Sequence, residues 1–124
     1  MTWKIRLFLF VESAAFFTAA SIHFGLLVNG YEHLKAAIAE SVIGAVLLVG
    51  LASTWIRPGS IRMFGLAAQA FALFGTCVGI FTIAIGVGPR SVPDIAYHIG
   101  IVIVLVSGLM VAARAPSSRS RLQA

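Results

Sequence analysis

The sequence predicts an all-α integral membrane protein, an antiparallel four-helix bundle. Of its 124 residues, 60% are hydrophobic and only 10% charged, a composition of the membrane class. The apolar residues fall into four runs, near 5–28, 36–56, 63–87 and 95–113. Each is about 19 to 25 residues long, enough to cross a hydrocarbon core of about 30 Å at 1.5 Å per residue. The connections are short, which makes successive spans antiparallel. Residues 1–114 then form a single four-span domain, and 115–124 a basic tail rich in Pro, Ser and Arg.

The first run opens on Lys4 and Arg6 and carries a small-residue stretch, Thr18-Ala19-Ala20, as a secretory signal would. Its apolar run holds Glu12 and continues past Ala20, so it reads as a retained span. Glu12, Phe16, Ala19 and His23 share one face, with Glu12 and His23 about 16 Å apart in height. In the second span Ala37, Glu40, Gly44 and Leu47 lie on the stripe of His33.

The third span is uncharged between its ends and carries Gly65, Ala68, Ala72, Gly75, Gly79, Thr82 and Gly86 at spacings of three and four. The stripe contains a GxxxG, Gly75 to Gly79, and small residues at this spacing let helices approach closely in lipid. Packing within the chain is the first reading; a homo-oligomer or a larger membrane complex joined through the same face is the second. Gln69 and Thr76 run beside the stripe. Cys77, the one cysteine, excludes an internal disulfide and reads as a small packing residue.

The fourth span follows Gly86-Val87-Gly88-Pro89-Arg90, a turn-forming stretch. Ser91-Val92-Pro93-Asp94 reads as a helix start, with a Ser cap, an early Pro and an acid in the first turn. Asp94, His98, Ile101, Leu105 and Gly108 make one face of this span.

The net charge of +5 is a topology signal and not one for nucleic acid. Lys4, Arg6, Arg57, Arg62, Arg114, Arg119 and Arg121 belong to one side, Lys35 and Arg90 to the other. The positive-inside rule puts both termini in the cytoplasm, in an inner membrane, with the tail near anionic headgroups. The lipid bilayer is the partner this composition implies.

Ionisable groups within spans mark functional sites by default. His23, Glu40 and His98 fall at similar depth on three helices, roughly 6 to 9 Å below the outer surface. A carboxylate in a span costs about 2.5 to 3.5 kcal/mol if unpaired, so Glu40 calls for a partner. Two imidazoles and a carboxylate suit a transition metal such as zinc, iron or copper. His23 and His98 also read as axial ligands of a b-type haem, with Ala20, Gly25 and Gly100 making room and Arg90 meeting a propionate. A third reading needs no cofactor: the same residues relay protons or bind a small polar or quinone-like molecule. His33 and Glu32 belong to the interface. Glu12 lies deeper, in the inner half, with Gln69 or Thr76 as candidate partners. No catalytic motif is present: there is no GxSxG, P-loop, HExxH or CxxC.

The stretch from Ala39-Glu40-Ser41 through Gly44 and Gly50 to Leu51 resembles the second span of DoxX-like proteins, small four-span membrane proteins in which an acid precedes Gly and Leu on an apolar run. The resemblance covers one helix. It implies the four-span fold and an association with membrane redox and oxidative-stress systems, and it singles out Glu40. The functional expectation is a membrane protein with a polar site near its outer face, holding a metal, haem or small redox ligand. An accessory subunit of a larger complex and a small transporter are the alternatives.

Overall fold

Glycine ends two of the four helices. A computed structural model describes residues 1–117, with α1 at Thr2–His23, α2 at Leu34–Ile56, α3 at Ile61–Ala84 and α4 at Val92–Arg114. A single 3-10 turn, Pro58–Ser60, joins α2 to α3. The helix α1 stops five residues before the end of its apolar run because Gly25 takes φ +73°, a left-handed conformation that costs glycine little. The amides of Gly25 and Leu26 then close on the carbonyls of Ile22 and Ser21, a Schellman arrangement. Gly86, at φ +85°, ends α3 in the same way, with Gly86 and Val87 bonding back to Ile83 and Thr82. His23 is therefore the last residue of its helix rather than a residue well inside it. Seven residues of the expected tail, 118–124, lie outside the described residues.

All four helices are long and apolar enough to cross a membrane. Their outward faces are as apolar as their inward ones: Phe74 is 70% exposed and Ile103 62%, the pattern of helices meant for lipid on one side and protein on the other. Helices α1 and α3 each touch all three of the others, and α1 also packs most extensively on α2. The core runs through Leu9, Phe16, Leu47, Ala72, Ile101 and Leu105.

The small-residue stripe of α3 is used within the chain. A methyl group on Gly65 would meet Ile5 of α1 at 2.7 Å, and one on Gly75 would meet Ile43 of α2 at 2.8 Å. Gly79 faces His98 of α4, and Ala68 and Ala72 are buried. Cys77, expected as a packing residue, is instead exposed on the side of α3 that faces away from the bundle. Polar ties cross between helices too. Arg6 donates to the hydroxyl and carbonyl of Thr54 at 3.1 and 2.9 Å, and Ser13 donates to the carbonyl of Gly44 at 3.0 Å.

Candidate functional site

The segments 24–33 and 85–91 meet at one end of the bundle, where His33 Nε2 donates to the carbonyl of Val87 at 3.2 Å. His33 also caps α2, its Nδ1 accepting the amide of Ala36. Histidine is not among the usual capping residues, so this role of His33 carries no signal in the sequence beyond its interfacial place. Nearby, the exposed Glu32 carboxylate takes the amide of Gly30 at 2.9 Å; its own backbone amide and that of Gly30 hold it below the usual carboxylate range.

Beneath this end, three ionisable side chains from three helices join. His23, at the C-terminus of α1, has Nδ1 2.7 Å from Glu40 Oε2 and Nε2 3.0 Å from Asp94 Oδ1. All three residues are buried, at 4%, 5% and 8% exposure in that order. Glu40 stands about two turns into α2 and Asp94 in the first turn of α4. Of the triad expected from depth, the structure brings His23 and Glu40 together and supplies Asp94 as the third member. Asp94 fulfils its capping role as well, since its Oδ2 accepts the amide and hydroxyl of Ser91 in a full capping box. The signal for its second role was present: Asp94 shares a helical face with His98, one turn away.

His98 is engaged differently. Its Nδ1 donates to the backbone carbonyl of Asp94 at 2.7 Å, its ring stands edge-on to Tyr97 with centroids 5.4 Å apart, and its Nε2 faces Gly79. Both nitrogens of His23 are taken up by carboxylates, which leaves its ring no lone pair for a metal or haem iron. Among the described residues, no group of three or more His, Cys, Asp or Glu is placed to hold a metal ion.

Two cavities flank the triad. The larger, about 530 Å³, is a groove between α1 and α4 that opens on the bundle surface. Ala15, Ala19 and Ile22 form one wall and Pro93 and Tyr97 the other, with His23 and Asp94 at the polar end. The Tyr97 hydroxyl is buried without a hydrogen-bond partner among the described residues. The smaller cavity, about 170 Å³, lies on the opposite side of the triad and is bordered by Glu40, His98, His33 and Lys35. Family models, curated proteins and solved structures offer no match to this chain.

The second polar pair is separate. Glu12 and Gln69 are both fully buried, and Gln69 Nε2 lies 3.1 Å from each carboxyl oxygen of Glu12. Thr76, the other expected partner, instead donates to the Ala72 carbonyl of its own helix. No cavity adjoins the pair among those described, and Gly108 seals it, since a methyl group there would come within 2.2 Å of Gln69 Nε2. Glu12 and Gln69 thus tie α1 to α3. Gln69→Leu is expected to cost about 1–3 kcal/mol by leaving the Glu12 carboxyl without a donor, whereas the isosteric Glu12→Gln costs under about 1 kcal/mol. Thermal unfolding of the two variants in mild detergent compares them directly.

Proposed function

We propose that this chain is an antiparallel four-span protein of a bacterial-type inner membrane that binds a small lipid-soluble molecule in the groove between α1 and α4. Four helices of spanning length and apolarity support the membrane placement. The excess of Lys and Arg at the end carrying the termini supports cytoplasmic termini, which turns the triad toward the outer leaflet.

One observation carries the binding reading. An otherwise apolar groove ends on His23 and Asp94, two buried ionisable groups already bonded to each other. Binding sites for small molecules combine apolar walls with a few convergent polar groups in this way. A buried histidine held between two carboxylates exceeds what helix packing needs, because each ion removed from water costs several kcal/mol. Glu40, the residue singled out by the DoxX-like resemblance, links the groove to the second cavity through His23. A metal or haem reading draws no support from this arrangement, whose donor atoms satisfy one another.

Filling the groove tests the reading. A photoreactive phenyl-diazirine probe is expected to label Thr18, Ile22 or Tyr31, and excess unlabelled probe should compete that label away. In Ala15→Trp the competable fraction should vanish, leaving only the uncompeted label of lipid-facing surfaces. Labelling of these residues that excess probe does not reduce would sink the proposal.

A further inference from the structure

The charge of the triad follows from counting its hydrogen bonds. Asp94 accepts the amide and hydroxyl of Ser91 on Oδ2 and shares a proton with His23 Nε2 through Oδ1, 3.0 Å away. One proton lies in that contact and one in the contact of His23 with Glu40. Wherever each of the two protons rests, on nitrogen or on oxygen, the imidazole and its two carboxylates sum to the same total. The triad as a whole keeps one negative charge.

Nothing positive in the groove balances that charge. Its lining includes no Lys or Arg, and the polar residues there besides His23 and Asp94 are Thr18, Tyr31 and Tyr97. Around the rest of the triad stand His98 from α4 and the ring of His33, 6.4 Å from that of His23. Helix α3 presents no titratable side chain to it. Lys35 borders the smaller cavity, and Arg90 is committed to the carbonyls of Ile83 and Ala84 at 3.0 and 3.1 Å.

A buried anion at the end of an apolar groove, flanked by the aromatic rings of Tyr31 and Tyr97, is complementary to a positively charged head on a hydrophobic body. Carboxylate attraction in a low-dielectric site and aromatic faces both favour such a cation. The unpartnered Tyr97 hydroxyl adds a polar group on the same wall. We infer that the groove binds an amphipathic organic cation, such as a protonated lipophilic amine, with its charged head against Asp94 and His23. This inference rests on the groove reading above and adds the chemical class of the ligand.

Three probes on one skeleton test it: phenylbutylamine, phenylbutanol and phenylbutanoate, titrated calorimetrically at neutral pH into the full chain in mild detergent. The ammonium is expected to bind saturably and about tenfold tighter than the alcohol, with the carboxylate weakest. In the double variant Glu40→Gln with Asp94→Asn, which removes both carboxylates while keeping hydrogen-bonding groups on either side of His23, the ammonium and alcohol should bind alike. If the alcohol or carboxylate binds the unaltered protein as tightly as the ammonium, the cation assignment falls and the groove reading survives. If none of the three saturates, or if Ala15→Trp binds all three unchanged, both fall together. The comparison among probes on the unaltered chain needs no variant to fold.

Discussion

Replacing His23 with alanine is expected to destabilise the folded protein by about 3–5 kcal/mol, the cost of breaking a buried ion pair by removing one partner. The histidine bonds two carboxylates from two other helices. Without it, Asp94 keeps the amide and hydroxyl of Ser91, but Glu40 loses its one hydrogen-bond partner among the described residues. The damage should therefore concentrate on Glu40, and a double-mutant cycle can locate it. Glu40→Leu in the His23→Ala background removes the stranded carboxyl, so the double variant is expected to be more stable than His23→Ala alone, with a coupling of roughly 1–3 kcal/mol. Unfolding in mild detergent, followed by circular dichroism, supplies all four corners of the cycle. Strict additivity would mean that the pair contributes no coupled energy and that the triad is no functional unit of the bundle.

The second large effect is steric. A methyl group on Gly50 would lie 2.7 Å from Cβ of Ala68. Alanine has no rotamer to yield, so any side chain at position 50 pushes α2 and α3 apart. Gly50→Leu is expected to cost about 3 kcal/mol, the upper end of the range for overpacking. Gly100 on α4 provides the contrast, since nothing lies within 4 Å of the corresponding position there. Gly100→Leu should be neutral or stabilising by up to about 1 kcal/mol through helix propensity alone. Equal loss of stability in both variants, measured as midpoints of thermal unfolding, would show that the close contact between α2 and α3 is not what Gly50 serves.

Parts of the site were legible because helical periodicity is local. The shared depth of His23 and Glu40 follows from counting residues along two spans, and the structure joins the two by a hydrogen bond. Gln69 as the partner of Glu12 was legible for the same reason. Asp94 was harder to read because a strong local explanation, the cap of α4, accounted for it fully. A carboxylate has two oxygens, and the second was free to accept from another helix. His98 shows the converse: depth alone grouped it with the triad, but its Nδ1 turns to the carbonyl one turn back along its own helix.

The sequence by itself determined that four helices form, that each is apolar enough to cross a bilayer, and that a few ionisable groups had to find partners inside. These depend on composition and on the 3.6-residue period, both properties of short stretches of chain. The tertiary structure alone decided which partner each group found, that the glycine stripe of α3 faces its own neighbours, and that a groove opens between α1 and α4 beside the triad. Those outcomes depend on how each helix is rotated about its axis against the others. That rotation is set by the summed packing of many side chains, and no single span encodes it.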